Sequence, residues 1–470
     1  MKTREKAYKE KHGFRDKSAG SQLNRRNFLK LFGAAFSGGT LLSSTPVLAN
    51  NRAKNRLKEF LFNSNSEELF WRMVRKEFAL KEELIHMNTG TLSSISYYVL
   101  NKLSEYNQIL AEDPYPTAYY YPFSLQDSDE GEPGVHSKAA AFPGADEGEI
   151  VVTNCTTEGM SFVAMGLNLQ PGDEVLTTMH EHPGGYDCWR ILREKRGITL
   201  TSLPFQDYFD SKQDIVDLFE SAITPNTKVM SFCHINYTTG LKMPVKELCT
   251  LARDNGIISV VDGAHAMGML NLDIHDLGCD FYTCSPQKWL CAPPGVGVLY
   301  IRDGIGTEGD LIEEFYPTVT EMYNPDYSFQ YQLEFRGQQS SPVWVCLKDA
   351  IDFQISIGGK DIIENRIMSL STYAKARLLE IPGVKLHCST DPEQSSGLVS
   401  FYIKDQYKGH SKVNYKIRDD YRIIMRTVTY KDNEGDLQNK QGLRISTHIY
   451  NNYDQIDLLA QAIEENIDLM

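Results

Sequence analysis

The chain has 470 residues, enough for one large and one smaller domain, and with 41% hydrophobic and 23% charged residues its composition excludes a disordered or fibrous protein. Its net charge is −14, but the first 49 residues hold ten Lys/Arg against three Asp/Glu, so the remainder carries −21. An acidic body without a basic stripe argues against nucleic acid as a partner.

The front end reads as a targeting segment. "NRRNFLKLFGAAFSGGTLLSSTPVLAN" sets Arg25-Arg26 before Phe28-Leu29-Lys30, then a modest apolar stretch, then Val47-Leu48-Ala49 as a small-residue cleavage site. The pattern resembles twin-arginine export signals, which implies passage of a folded protein through the twin-arginine machinery to the periplasm or beyond. The apolar stretch is too short and interrupted to anchor the chain stably in a bilayer. Residues 1–49 are therefore expected to be a signal peptide and 50–85 an N-terminal helical segment, in which "SEELFWRMVRKEF" pairs acids and bases around Leu69, Phe70, Met73 and Phe78. "HMNTGTLSS" breaks that pattern as a loop. The aromatic run "PYPTAYYYPFS", 114–124, suits either an active-site mouth or a packed dimer surface.

From residue 150 a regular alternation begins. "EIVVT", "DEVLTT", "ITLTSLPF", "KVMSFCHI", "GIISVVD", "CDFYTC" and "GVGVLYI" read as strands, with helical stretches such as "TTEGMSFVAMGL", "YDCWRILREKRG" and "VKELCTLARDNG" between several of them. This order predicts an α/β fold with a mostly parallel central sheet wrapped by helices. The alternation loosens after about residue 305. Two long helices around "VWVCLKDAIDFQISIGG" and "ENRIMSLSTYAKARLLEI", three short strands ("GLVSFYI", "RIIMRTV", "GLRIST") and a closing helix predict a smaller α+β domain. The expected boundaries are 86–325 for the large domain and 326–470 for the small one. All nine cysteines follow residue 49; their odd number excludes a complete disulfide framework, and no CxxC pair supports a zinc ribbon.

The strand ends carry the chemistry. "ISVVD" is a strand buried on both faces that terminates in Asp262, and carboxyl ends of strands open into the ligand crevice of such sheets. Asp262 can face a bound molecule there, or cap the following segment. Other strand ends contribute Thr156-Thr157-Glu158, which open a helix and so form an anion site, then His180-Glu181-His182, Asn236-Tyr237, Asp262-Gly263-Ala264-His265, and Ser285-Pro286-Gln287-Lys288-Trp289. His180 and His182 are spaced like zinc ligands, without a third ligand of supporting spacing. Pyridoxal 5′-phosphate asks for the whole set at once: an amine to carry it, an acid to keep its pyridine nitrogen protonated, a cradle for its phosphate and a flat partner for its ring.

The stretch "VVDGAHAMGMLNLDIHDLGCDFYTCSPQKWLCAPPGVGVLYIR" resembles the heart of the class V aminotransferases, especially their isopenicillin N epimerase-like and cysteine desulfurase-like branches, and the likeness runs from "HMNTGTLS" to the final helix. The resemblance implies fold type I, a homodimer and a small amino-acid substrate. It also implies site roles. Lys288 would carry the cofactor and move the α-proton, Asp262 would partner the pyridine nitrogen, His182 would stack on the ring, and His265 would contact the phenolic oxygen. Thr156, Thr157 and Ser285 would hold the phosphate. Arg444, in "GLRISTHIYNN", would clamp the substrate carboxylate, with Asn88 near it. Gln287 stands where a histidine commonly precedes the lysine and can still donate to phosphate. Asn236 sits one position before the place where desulfurases carry an asparagine, a place held here by Tyr237. Gly337-Gln338 replaces a Gly-Thr that usually reaches the neighbouring subunit's phosphate.

Residues 389–470 contain no cysteine, so a thiol shortly before the carboxylate-binding arginine, which desulfurases use to accept sulfur, has no candidate other than Cys388 far up the chain. The expected activity is therefore epimerisation or transamination at an α-carbon. The alternatives are a desulfurase-like or kynureninase-like lyase or hydrolase, and an exported binding protein without chemistry. A nicotinamide enzyme is disfavoured because no GxGxxG opens a helix.

Overall fold

A computed structural model describes residues 64–112, 114, 133–205, 209–321, 323–404, 409–430 and 440–469. The export segment 1–49, the start of the 50–85 segment and all but Pro114 of the aromatic run lie outside these residues. The chain divides into two compact units at Met73. Of the first, the opening of the helix Ser64–Lys76 is described, where Trp71 Nε1 donates to Glu67 one turn earlier. That helix stops at Lys76, well short of residue 85, and the Arg75 side chain ties down the turn that follows by donating to the Lys81 and Leu84 carbonyls.

In the second unit the strands are β1 (Ile85–His86), β2 (Ile150–Thr153), β3 (Glu174–Thr178), β4 (Thr199–Leu203), β5 (Thr227–Cys233), β6 (Ile258–Asp262), β7 (Phe281–Cys284), β8 (Gly297–Ile301), β9 (Val384–Leu386), β10 (Leu398–Ile403), β11 (Ile423–Ile424), β12 (Arg426–Tyr430) and β13 (Lys440–Ser446). Seven of them form the central sheet in the order β2-β8-β7-β6-β5-β3-β4. The pairings from β7 through β6, β5 and β3 to β4 are parallel, while β8 runs antiparallel to both β7 and β2. Parallel neighbours need a long crossover, whereas antiparallel ones can be joined directly. The β7–β8 link, 285–296, uses that freedom: it contains no helix and folds across the carboxyl end of the sheet carrying Lys288. Every residue of β2, β3, β6, β7 and β8 is buried, which is why these strands read as unbroken apolar runs, and the edge strand β4 is largely open. Helices Thr156–Gly166 and Pro183–Arg196 contribute Phe162, Val163, Trp189 and Leu192 to the core beneath.

The second core belongs to an antiparallel sheet, β12-β13-β10-β9, and the helices Lys360–Leu379, His410–Tyr421 and Tyr453–Asn466. Both expected domain boundaries move. Ile85 and His86 pair with β11, Asn88 bridges Ser446, and Met87 is fully buried in this second core, so the chain enters the small domain before it builds the large one. Alternation explains it: Ile85 and Met87 face in, His86 and Asn88 face out. At the other boundary, Leu333 packs into the large core and Glu334 accepts the Val152 amide at 2.6 Å, so residues 329–334 stay with the large domain. "RIIMRTV" is two strands broken at Met425 rather than one.

Candidate active site

Three loops at the carboxyl end of the sheet meet around Lys288. β6 and β7 pair with Asp262 opposite Thr283, so Asp262 and the turn that begins at Ser285 leave the sheet side by side. The Asp262 carboxylate accepts the Ala264 amide on Oδ1 at 2.9 Å, and no helix follows it to be capped; among the described residues Oδ2 takes no donor. The carboxylate therefore ties the turn after β6 through one oxygen and stands beside the Lys288 amine. Burial raises its pKa, opposed by the nearby Lys288 charge. Lys288 is partly accessible yet walled in deeply enough that desolvation lowers its ammonium to about 8, with Asp262 pulling the other way.

His265 is buried, and its state can be assigned from its neighbours. The Trp289 indole, which can only donate, reaches Nδ1 at 3.1 Å. Burial and the surrounding cations hold the ring well below its ordinary pKa, so it is neutral and its one proton sits on Nε2, 3.4 Å from Lys288 Nζ. His265 therefore offers a donor beside the amine, suited to a phenolate. If Trp289 fixes this tautomer, 15N NMR of histidine-labelled protein will show His265 protonated at Nε2, and Trp289→Phe will give a mixture; an Nδ1-protonated ring in the unsubstituted protein contradicts the assignment.

The cradle for an anion is also assembled. Thr156 opens the helix Thr156–Gly166 with its hydroxyl 2.7 Å from that of Ser285, and its amide faces Ser285 Oγ at 3.3 Å. Thr157 lies against Gly184, where a Cβ would come 2.4 Å from its Oγ1. A Cβ on Gly185 would likewise stand 2.6 Å from Asp262 Oδ2, so the Gly184-Gly185 pair is what lets this loop approach the carboxylate. His182 caps the helix Pro183–Arg196, its Nδ1 accepting the Gly184 amide at 3.0 Å. Its ring is exposed and edge-on to Tyr237 at 5.0 Å, and burial of its inner side, then the Lys288 charge, lowers its pKa to about 4. It is a neutral, flat surface. Gln287 Oε1 is buried with no hydrogen-bond partner, a polar atom facing the same crowded turn.

Arg444, on β13, is buried and donates to the Tyr237 carbonyl at 2.6 Å; desolvation, then the Arg426 charge, lowers its pKa to about 9. Asn88 stands one hydroxyl away, accepting Thr91 Oγ1 at 2.9 Å, and Thr91 Oγ1 in turn lies 3.5 Å from Arg444 Nη2. Asn236 Oδ1 accepts the Thr238 amide, the Thr238 hydroxyl and the Thr239 amide, and so holds the turn after β5. Sequence reasoning gave no role to Thr91, Arg426, Trp289 or Glu181. Glu181 was visible as an acid between two histidines. It is buried, accepts the Thr178 hydroxyl at 2.6 Å, and is raised to about 7 by burial, with the Asp262 charge adding to the rise.

Glu181 has a consequence for stability. Between the ordinary carboxyl value of 4.5 and about 7 the folded state holds a proton that the unfolded state has released, so stability falls as pH rises through that window. Urea unfolding should show a shallower fall for Glu181→Gln than for the unsubstituted protein; equal slopes count against a buried neutral Glu181.

These residues fit pyridoxal phosphate. The unclaimed Asp262 Oδ2, the destabilised Lys288 ammonium, the paired hydroxyls at a helix N-terminus and the flat neutral His182 supply the four features it requires, around one cleft. Fold and site together define a fold type I pyridoxal-phosphate enzyme. The profile of the family described as "Aminotransferase class-V" matches residues 129–459, and the chain belongs to that family. It is 27% identical over 409 residues to the isopenicillin N epimerase of Streptomyces clavuligerus, covering 84% of this chain and 98% of that protein. It is 30% identical over 350 residues to a probable cysteine desulfurase of Halalkalibacterium halodurans, covering 72% and 82%. Among solved structures, a C-DES mutant with glycine covalently linked to its PLP cofactor superposes with a TM-score of 0.72 at 23% identity, over 83% of this chain and 99% of that one. The apo cysteine desulfurase of Thermococcus onnurineus superposes with a TM-score of 0.70 at 24% identity, over 84% and 98%.

Proposed function

We propose that this enzyme removes and returns the proton at the α-carbon of an amino acid, with epimerisation as the net reaction. The observation that carries the reading is Lys288: an amine brought down to about 8, 3.4 Å from His265 Nε2, on the strand end next to Asp262. Bound pyridoxal phosphate would supply the electron sink that makes the Cα–H bond acidic. The chain's own residues do the rest. Asp262 holds a buried negative charge for the ring nitrogen, Thr156 and Ser285 hold the phosphate, and His182 covers the ring. Arg444 fixes the carboxylate through parallel N–H donors and so orients the Cα–H bond. Lys288, partly neutral near pH 7, accepts the proton from one face of the α-carbon; its return to that face restores the substrate, and inversion requires delivery of a proton to the opposite face. The relatives named isopenicillin N epimerase support the net outcome.

Proton removal also permits loss of a β substituent, and the relatives named cysteine desulfurase support that second reading equally. Its persulfide variant needs a mobile thiol. Cys388 is instead 5% exposed within the small-domain core, and among the described cysteines only Cys155 is more than marginally accessible. Incubation of the loaded enzyme with amino acids in D2O, with and without a keto-acid acceptor, separates the outcomes. Epimerisation yields α-deuterated substrate of inverted configuration, β-elimination from cysteine yields pyruvate, ammonia and sulfide, desulfuration onto a thiol yields alanine, and transamination requires the acceptor. Failure to exchange an α-proton in any amino acid contradicts both readings.

A further inference from the structure

Two arginines stand where one carboxylate clamp needs only one. In the β12–β13 register Arg426 is directly opposite Arg444, so both side chains leave the same face of the sheet as cross-strand neighbours. Like charges so placed destabilise a sheet. Among the described residues no carboxylate pairs with Arg426 or Arg444, and both guanidinium groups converge on the single hydroxyl of Thr91, at 3.0 Å from Arg426 Nη1 and 3.5 Å from Arg444 Nη2. The buried Arg444 also leaves Nε without a partner. Lys288 stands within the field of both arginines, which with desolvation hold its ammonium down, while Asp262 opposes them.

An amino acid's α-carboxylate can neutralise one guanidinium. We infer that Arg426 binds a second anionic group on the substrate, so that the enzyme acts on short amino acids whose side chain ends in a carboxylate, sulfinate or sulfonate. Arg444 is enclosed and takes the group whose position must be fixed, the α-carboxylate. Arg426 is partly open and, through its bond to Thr91, is left as the more accessible of the two for a second group. The shared hydroxyl limits the reach: the two anions must lie a few ångströms apart, which excludes a long acidic chain.

This inference rests on the α-carbon reading above, and its test is separable from it. Succinate and butyrate are unreactive probes differing by one carboxylate, and their binding to the pyridoxal-phosphate-loaded enzyme can be measured by calorimetry. Succinate should bind about tenfold tighter, and Arg426→Gln should remove that preference while leaving butyrate affinity in place; Arg426→Lys should keep part of it. With no anion present, Arg426→Gln should melt no lower than the unsubstituted protein, because it relieves the opposed charges. The inference is overturned if the two probes bind alike, if Arg426→Gln weakens both equally, or if that variant is less stable. Aspartate, cysteine sulfinate and cysteate, compared for α-deuterium uptake, then identify the acidic group. Exchange confined to neutral amino acids would overturn this inference and leave the α-carbon reading standing, whereas exchange in none would remove that reading with the calorimetric result still readable.

Discussion

Replacing Lys288 with alanine is expected to lower α-proton exchange by about 10³-fold or more while leaving the fold intact. A positioned general base contributes on the order of 10² to 10⁴ in rate, and Lys288 is in addition the amine proposed to carry the cofactor, so its removal strikes both functions. The fold should not suffer. The Lys288 ammonium is held down by desolvation, which means the folded state is strained by its charge rather than supported by it, and Lys288→Ala removes that burden. Equal or higher thermal stability with lost exchange is the combination to look for. A variant that exchanges α-protons at near the original rate would show that another group is the base, and one that fails to fold would show that the lysine is structural.

Asp262→Asn is expected to separate charge from shape. The amide keeps the Oδ1 acceptor for Ala264 and nearly the same volume, so the turn after β6 should be preserved. What disappears is one buried negative charge. An ion pair about 4 Å apart at an effective dielectric near 20 is worth roughly 4 kcal/mol, and about 10³-fold in rate if that charge holds the ring nitrogen protonated in the transition state. A second readout follows from the coupling of the two groups. Asp262 supports the charged form of Lys288, so its neutralisation should move the apoprotein's Lys288 titration below about 8, where a purely structural role for Asp262 would leave it. A rate within threefold of the unsubstituted enzyme, with an unmoved titration, would contradict the assigned role.

The strands of the central sheet were legible because burial on both faces turns them into short β-branched runs, and Asp262 and Lys288 were legible because each breaks such a run at its carboxyl end. The polar turn at Thr156 and the His182-Pro183 helix start follow from the same logic. What could not be read was pairing across long distances. Arg426 and Arg444 are 18 positions apart, and only the β12–β13 register sets one opposite the other. Thr91 looks like any loop threonine until both guanidinium groups are placed against it. The domain edges failed for a related reason: Ile85 and Met87 form too short an alternation to announce a strand, yet they are enough to tie the chain's entry to the C-terminal sheet. Asn236 shows how a polar side chain at a strand end can serve the turn as well, its oxygen taking the Thr238 and Thr239 amides.

The most direct test is to load the protein with pyridoxal phosphate, reduce it with borohydride and locate the pyridoxyl group by peptide mass spectrometry. The account predicts a single modified lysine, Lys288, with labelling weakened in Asp262→Asn and Gly185→Ala. A label on any other lysine, or a protein that takes up no cofactor, would contradict it.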